Sequence, residues 1–299
     1  MKYTLNGMAK DPAVVNFGGR YIMYHSAWIP GQRELRIAIA ESADMESWSF
    51  VGYVPLDQPC EKNGIGAPCA IVIRGRVHMF YQTYGNRERD AICHAWSDDG
   101  VGFTKDIGNP VFRPSESWCC GRAIDADVEL MNGRLYLYFA TRDHEFKRQL
   151  IGAASADAES DFGAGDFREE CAHAVLTPSE DDAAWEKDCT EAPAAIMLDG
   201  KMYMFYGGGY NCDPQQIGLA VSQNDVSFRR VTAEPFYKNG APGTWNASES
   251  GHPYVFRDND GRIYLFYQGS PDHGKTWILS RMELTYENGK LGVGQVFYE

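Results

Sequence analysis

The sequence has no run of about 18 apolar residues, so no part of it could cross a membrane as a helix. Its opening segment, residues 1–7, also lacks the apolar stretch of about 7–15 residues that marks a secretory signal. We therefore expect the chain as written to act in the cytoplasm. A secreted or periplasmic location would require a leader outside this sequence.

Basic residues are few relative to acidic ones. The chain has 28 Lys and Arg against 41 Asp and Glu, a formal net charge of −13. This charge opposes binding to the phosphate backbone of nucleic acids and to anionic membranes, so we expect neither as a partner. Hydrophobic residues make up 44% and charged residues 23%, a mixture typical of folded globular proteins and not of disordered ones.

The eight cysteines include no C-x-x-C pair, the spacing typical of zinc ribbons and thioredoxin-like redox sites. Because nothing in the chain signals export, we expect the thiols to be reduced. Cys119 and Cys120 are adjacent, which leaves a vicinal disulfide open as the alternative.

No linker rich in Pro, Gly or Ser divides the chain, but one short pattern recurs five times. Each copy has a glycine, a basic residue and then alternating aliphatic and aromatic residues. The glycine favours a hairpin turn and the residues after it favour a β-strand. The copies begin at Gly19, Gly75, Gly133, Gly200 and Gly261, which are 56, 58, 67 and 61 residues apart.

A second strand signal follows every copy in the same register, and in four of the five units a further short strand comes after it. Four antiparallel strands repeated about every 60 residues are typical of propeller blades. We therefore predict an all-β protein, a single five-bladed β-propeller catalytic domain over residues 1–299 with four antiparallel strands per blade. A β-sandwich or two small β-domains would not explain a five-fold register. Residues 156–190, the longest irregular stretch, are predicted to be a surface insertion between blades three and four, over a site.

The innermost strand of each blade lines the central channel of a propeller, so equivalent residues of the five blades meet near the axis. Acidic side chains are rarely buried without partners, and clustered acids repel one another, so a set of them at this position indicates a functional site. For one acid alone, a turn cap or an ion pair with Arg122 or Arg142 would be the simpler explanation. Counting back eight or nine residues from each repeat glycine gives, in one register, Asp11, Ala67, Asp125, Glu191 and His252.

Two carboxyl groups of unequal pKa across a pocket can cleave a glycosidic bond. The ionised group activates water, and the protonated group donates to the leaving oxygen. A third acid can raise the pKa of the donor through its like charge. Aromatic faces stack on sugar rings, although each such residue could equally be packing. The candidate substrate-binding residues, in or beside predicted rim loops, are Trp28, Tyr84, Trp118, Arg122, Tyr210 and Trp245.

The motifs at the strand heads resemble those of glycoside hydrolase family 43 and its relatives of the family 117 and 32 type, which are five-bladed β-propeller glycosidases. The resemblance spans nearly the whole chain and follows the order of the family. It rests on Lys10-Asp11-Pro12, Gly66-Ala67-Pro68, Ile124-Asp125, Thr190-Glu191-Ala192-Pro193 and Gly251-His252-Pro253.

This resemblance implies an inverting mechanism in which Asp11 is the general base, Asp125 the pKa modulator and Glu191 the general acid. Inversion requires the carboxyl groups of Asp11 and Glu191 to lie about 6.5–9.5 Å apart, whereas retention would require about 5–5.5 Å. It further implies that no cofactor is required, and that His252 faces, through water, a divalent ion such as Ca²⁺ in the channel.

Some residues depart from the pattern or compete for these roles. Gly66 and Ala126 stand where the family often has other residues, and Asp127 or Glu249 could take a role given to a neighbour. Family 117 enzymes use a histidine as the acid, which would give more weight to His252, His25 or His144.

The implied activity is the release of a terminal sugar from an oligosaccharide, with arabinofuranose and xylose as the first candidates. Two alternatives stay open. One is a glycoside phosphorylase that binds phosphate through arginines, and the other is a carbohydrate-binding propeller without catalysis. The arginines available for phosphate are Arg87, Arg89, Arg122 and Arg142. The sequence leaves the oligomeric state open.

Overall fold

The computed structural model describes residues 1–181 and 184–297, which form the predicted five-bladed β-propeller. Each blade is a four-stranded antiparallel sheet whose strands follow one another in chain order. The first strands of the five blades contact one another around the axis, and the fourth strands lie outside. Among the described residues, no helix is long and apolar enough to span a membrane.

The twenty strands of the described residues are numbered in chain order, four to a blade. Blade one contains β1 (Lys10–Phe17), β2 (Arg20–Trp28), β3 (Leu35–Ser42) and β4 (Ser49–Tyr53). Blade two contains β5 (Ile65–Ile73), β6 (Arg76–Thr83), β7 (Ile92–Ser97) and β8 (Thr104–Lys105). Blade three contains β9 (Ile124–Met131), β10 (Arg134–Arg142), β11 (Gln149–Asp157) and β12 (Arg168–Glu169). Blade four contains β13 (Thr190–Leu198), β14 (Lys201–Gly208), β15 (Gln216–Ser222) and β16 (Arg229–Arg230). Blade five contains β17 (Glu249–Arg257), β18 (Ile263–Ser270), β19 (Ile278–Glu287) and β20 (Lys290–Val296), and the short 3-10 helices are Pro59–Glu61 and Arg87–Arg89.

The repeat glycines occupy the turns between the first and second strands, as predicted. In blades one to four the turn has two residues, both with positive φ, and the repeat glycine is the second of them. This is the type I′ turn, whose twist matches that of the adjoining strands. In blade five the turn is longer, because Arg257 pairs with Ile263.

Aromatic side chains of the second strands fill the core. Tyr24, Phe80, Tyr138, Phe205 and Phe266 are each fully buried. Large aromatic groups at equivalent positions bury apolar area in every blade, which is why the repeat pattern predicts the fold so well.

Blades two and four each contain a buried ionic cluster of the same arrangement. In blade two, Glu61 accepts hydrogen bonds from the hydroxyl of Tyr81 (2.7 Å) and from Lys105 Nζ (2.5 Å). In blade four, Glu186 accepts from Tyr206 (2.5 Å) and from Arg230 Nε (2.7 Å). The sequence separations, 20 and 44 residues, are the same in both blades.

The described residues of the segment 156–190 pack on blades two, three and four, so the segment is not a separate surface insertion. It contains β12, the outer strand of blade three, which the sequence pattern missed because only two residues pair with β11. Phe162 in this segment is fully buried and packs on His78 and Phe80 of blade two. All eight cysteines, including Cys119 and Cys120, are free thiols.

Candidate active site

Every innermost strand begins with the same irregularity. Its pairing with the second strand is interrupted for two residues, and the first residue of the interruption has a positive φ. A bulge of this kind re-aims side chains, and positive φ is rare outside glycine, so the strain marks a functional position. The five residues are Asp11 (53°), Ala67 (42°), Asp125 (49°), Ala192 (48°) and His252 (41°). All five line one cavity of about 30 Å³ at the axis.

This register corrects the position of Glu191. The bulge residue of blade four is Ala192, so Glu191 is equivalent to Lys10 and not to Asp11. Glu191 in blade four and His252 in blade five each lie nine residues before the repeat glycine, but for different reasons. In blade five the longer turn adds the ninth residue, whereas blade four has a two-residue turn and a true shift by one position.

The predicted acids and the histidine nevertheless converge. His252 Nδ1 lies 2.9 Å from Asp11 Oδ1, and His252 Nε2 lies 3.3 Å from Glu191 Oε1. One polar atom of Asp125 lies within 4.8 Å of corresponding atoms of Glu191 and His252. Asp125, Glu191 and His252 are 7%, 6% and 8% exposed, so these ionisable side chains are largely shielded from solvent.

Polar side chains from the preceding blade hold three of the bulges. The backbone N–H of Asp11 donates to Gln268 Oε1 (3.1 Å), and that of Asp125 donates to Gln82 Oε1 (2.7 Å). The N–H of Ala67 donates to Ser26 Oγ (2.8 Å). Sequence reasoning missed these residues, although a polar residue soon after the buried aromatic residues of the second strand is a signal that could have found them.

Three amide side chains surround the carboxylate of Glu191, and none was predicted. Gln215 Nε2 and Asn211 Nδ2 donate to Oε1 at 2.6 and 3.2 Å, and Gln149 Nε2 donates to Oε2. Arg142 Nε in turn donates to Gln149 Oε1 at 2.9 Å. Donors to both oxygens fix the orientation of the carboxylate and favour its ionised form.

Electrostatics keep Asp11 ionised. Burial alone would raise the pKa of Asp11, but the positive charges of His252 and Lys10 hold it far below its usual range. The same contacts act on the ring. Burial opposes protonation of His252, yet the carboxylates of Asp11 and Glu191 raise its pKa well above the usual value. An ionised Asp11 can accept a proton from water.

The acid with the raised pKa is Asp125 and not the predicted proton donor Glu191. Burial raises the pKa of Asp125 to about 7, and the charges of Glu191 and Asp11 act in the same direction. Burial would also raise the pKa of Glu191, but the hydrogen bond and charge of His252 lower it below the usual value. The sequence predicts a raised pKa for the donor Glu191, whereas the structure raises the pKa of Asp125 and lowers that of Glu191.

The residues around His252 do not fit a calcium ion. Calcium prefers six to eight oxygen ligands. Both ring nitrogens of His252 are engaged with carboxylates, and both oxygens of Glu191 already accept hydrogen bonds. The nearby Lys10 adds a positive charge to the site. We therefore derive no step through a metal ion.

The predicted substrate-binding residues are spread around the rim. Trp28 and Tyr84 contact each other edge to face, with ring centroids 6.0 Å apart. Tyr210 donates to the carbonyl oxygen of Lys147 (3.1 Å) and lies under the guanidinium of Arg142. Trp28 ends β2, Tyr84 follows β6 and Tyr210 follows β14. All three therefore lie at the same end of the propeller as the first residues of the innermost strands.

The other three candidates each have a local partner. Trp118 Nε1 donates to Glu169 (3.1 Å), and Trp245 packs on Tyr267 with centroids 5.5 Å apart. Arg122 Nη2 lies 3.7 Å from Asp90 Oδ2. Arg122 also acts on the site, because its charge lowers the pKa of Asp125 against the dominant effect of burial.

The competing residues have local partners. Asp127 accepts a hydrogen bond from the N–H of Ala195 (2.7 Å), and Glu249 accepts one from Gln268 Nε2 (2.6 Å). His25 is fully buried against Tyr3, and the exposed His144 contacts the carbonyl oxygen of Ser117. None of these four contacts involves the cluster of Asp11, Glu191 and His252.

The fold and the gathered acids define the class, a propeller-type glycoside hydrolase. The model of glycosyl hydrolases family 43 matches residues 2–288. The chain belongs to this family, and it is a glycosidase whose substrate is a carbohydrate.

Solved structures share the fold over almost the whole chain. A thermostable family-43 glycoside hydrolase superposes with a TM-score of 0.76 and 23% identity, covering 97% of this chain and 95% of that one. An endo-1,4-beta-xylanase from Bacteroides thetaiotaomicron gives 0.75 and 18%, covering 96% and 94%. An alpha-L-arabinofuranosidase from Lactobacillus brevis gives 0.70 and 15%, covering 99% and 98%. No curated protein sequence matches the chain significantly.

Proposed function

We propose that this glycosidase releases a terminal arabinofuranose or xylose unit from an oligosaccharide with inversion of the anomeric carbon. The observation that carries the proposal is the position of Asp11 and Glu191 on two different nitrogens of the His252 ring. The ring keeps the carboxylates apart, as expected when a water molecule must fit between base and sugar. The pentose is supported by the names of structures with this fold, among them a xylanase and an arabinofuranosidase.

Asp11 is the base in this mechanism. Its pKa is held low by His252 and Lys10, so it is ionised throughout the neutral range and can accept a proton from the attacking water. The N–H of Asp11 is tied to Gln268 of the neighbouring blade, which fixes its backbone against the axis.

Glu191 is the acid and receives its proton within the site. The pKa values of His252 and Asp125 are both raised, whereas that of Glu191 is lowered, so His252 and Asp125 bind protons more readily than Glu191 does. A bound sugar displaces water, and in a drier site the neutral pair of His252 and Glu191 is favoured over the ion pair. The proton then moves from His252 Nε2 to Glu191 Oε1, now 3.3 Å apart, and from Glu191 to the leaving oxygen.

Asp125 orients the substrate and tunes the acid. Its Oδ2 is buried without a hydrogen-bond partner among the described residues, so it can accept a hydrogen bond from a sugar hydroxyl. Because Asp125 lies close to Glu191, its charge also raises the affinity of the acid for a proton.

The arginines considered for phosphate do not form a single pocket with the acids. Arg87 and Arg89 line a separate cleft beside blade two, while Arg122 faces Asp90. Arg142 binds Gln149 and the carbonyl oxygen of Phe146. Hydrolysis is therefore better supported than phosphorolysis.

The test is hydrolysis of aryl arabinofuranosides, aryl xylosides and pentose oligosaccharides in phosphate-free buffer, with the anomeric product followed by proton NMR. We expect inverted product from the wild type. Both Asp11→Asn and Glu191→Gln should lower kcat by at least about 100-fold, since each removes a proton-transfer group.

The control is Asp98→Asn, which removes an exposed carboxylate paired with Arg76 and should leave kcat unchanged. Retained product would refute the placement of water between Asp11 and the sugar. Sugar binding without turnover would favour the binding module, and turnover only with phosphate would favour the phosphorylase.

A further inference from the structure

The amide of Asn211 connects blade one to the proposed acid. Its Nδ2 lies 3.2 Å from Glu191 Oε1 and 3.3 Å from His252 Nε2, and its Oδ1 accepts a hydrogen bond from Lys10 Nζ. Asn211 lies in the loop between β14 and β15, whereas Lys10 begins β1. Through Asn211, this loop therefore contacts both Lys10, which precedes the proposed base Asp11, and the carboxylate of the proposed acid Glu191.

Lys10 determines which end of the amide faces Glu191. An ammonium group has three donors and no acceptor, so only the oxygen of Asn211 can face it. The amide nitrogen must then point to Glu191 and His252. Without Lys10 the amide could turn over and present its oxygen, which would repel the ionised carboxylate.

Lys10 is itself held in place. Its Nζ lies 4.4 Å from the centroid of the Trp277 ring, within range of a cation–π contact. Burial opposes the charge, but Asp11 and Glu249 outweigh it and raise the pKa of Lys10. The bulge register places Lys10 at the position that Glu191 occupies in blade four, so the two side chains approach the axis from equivalent positions.

We propose that Lys10 and Asn211 form a positioning pair that orients the carboxylate of Glu191 and stabilises its ionised form after the proton has gone to the leaving group. This inference rests on the role of Glu191 as the acid in the proposed function. Asn211 acts through Glu191, and Lys10 reaches Glu191 through Asn211 and through its charge, which also acts on Asp11.

Other titratable groups lie around the pair and this carboxylate. They are Asp11 of β1, which contacts His252, Asp125 of β9, Cys189 before β13, Tyr210 beside Asn211, and His252 of β17.

The variants Asn211→Ala and Lys10→Met test the pair on aryl pentosides whose leaving groups differ in basicity. We expect kcat for 4-nitrophenyl substrates to fall about tenfold or more, with a change in KM below about threefold. For 2,4-dinitrophenyl substrates, whose leaving group needs no proton, the loss should largely disappear. The alkaline limb of the pH profile should move to higher pH, because less stabilisation of the carboxylate raises the pKa of the acid.

Two controls separate positioning from general damage. Lys10→Arg keeps a cationic donor and should recover most of the activity. Asp213→Asn breaks the exposed ion pair with Lys187 (2.7 Å) in the same loop and should behave as wild type. Lys10→Met retains an apolar stem against Trp277, so it tests the pair even where Asn211→Ala disturbs the loop.

The outcomes are distinct. Equal losses with every leaving group and an unchanged pH profile would show a merely structural role and overturn the inference, as would wild-type kinetics. If Glu191→Gln abolishes activity in the same assay, such a failure concerns the pair alone. If Glu191→Gln stays active, the proposed function itself fails, and the pair has no acid to position.

Discussion

At the scale of single residues, Asp125 destabilises the folded chain, and its proposed role in the reaction explains why it lies there. It lies at a strained backbone position with a positive φ, and its Oδ2 is buried without a hydrogen-bond partner among the described residues. Burial raises its pKa to about 7. Buried polar groups without a hydrogen-bond partner at strained backbone positions are typical of active sites and ligand-binding sites.

Replacing Asp125 by Asn should therefore exchange activity for stability. The unfolded carboxyl has a pKa near 3.9, so ionisation costs the folded chain increasingly as the pH rises from about 4 to 7. We expect Asp125→Asn to raise the free energy of unfolding by about 1 kcal/mol or more at pH 8 and by little at pH 4, while kcat falls about 100-fold.

Urea unfolding at several pH values measures this difference. The exposed variant Asp98→Asn provides the comparison and should show no such pH dependence. A gain at pH 8 no larger than the gain at pH 4 would contradict a raised pKa for Asp125.

At the scale of elements, the same buried ionic cluster occurs in two blades. Glu61 and Glu186 are 0% and 1% exposed, and each lies before the first strand of its blade. Their partners come from the second and fourth strands, so each glutamate ties a loop to both the middle and the outer part of a sheet.

Removing one glutamate should destabilise the blade strongly. Glu186→Ala leaves the guanidinium of Arg230 and the hydroxyl of Tyr206 without their partner, and breaking a buried pair costs about 3–5 kcal/mol. Chemical denaturation should show this loss. The exposed pair of Glu234 and Lys238 is the control, because Glu234→Ala should cost less than about 1 kcal/mol. Equal effects of the two substitutions would show that the cluster of blade four contributes no more than a surface pair.

At the scale of the whole molecule, buried histidines make the fold sensitive to acid. His78 and His94 stack with their rings nearly parallel, and His78 Nδ1 lies 3.0 Å from His94 Nε2. Burial lowers the pKa of His78 to about 4 and that of His94 to about 3. Burial likewise lowers the pKa of His25 to about 4.

These values set the direction of the pH dependence. Unfolded histidine has a pKa near 6.5, so below this pH the unfolded chain binds protons that the folded chain excludes. The contribution of the neutral, buried histidines to the free energy of unfolding is therefore complete above pH 6.5 and is lost as the pH falls toward 4. Asp127 acts in the opposite sense, because burial raises its pKa to about 8.

Comparison of variants isolates the histidine contribution. Between pH 7.5 and 5, the free energy of unfolding should fall by about 2 kcal/mol less in His94→Phe than in the wild type. The control is His144→Phe, where the ring is exposed and the slope should not change. A wild-type slope in His94→Phe would show that His94 is protonated in the folded chain.

The five blades and the first residues of their innermost strands can be predicted from the amino-acid sequence alone. Turn chemistry and strand patterning are local properties, so glycines such as Gly133 and the aromatic residues after them predict each hairpin without knowledge of the rest. The motifs around Asp11, Asp125 and His252 could be found in the same way, because their distance from the turn is fixed by strand length.

The assembly of the site depends on contacts between blades, which the sequence does not reveal. The one-position shift of Glu191 is visible only in the pairing of its strand with the next one. Gln149 and Asn211 donate to Glu191, and Lys10 donates to Asn211. These three residues come from three different blades, and no local pattern indicates that they meet. Which acid holds a proton depends on burial and on neighbouring charges, and both arise when the ring of blades closes around the axis.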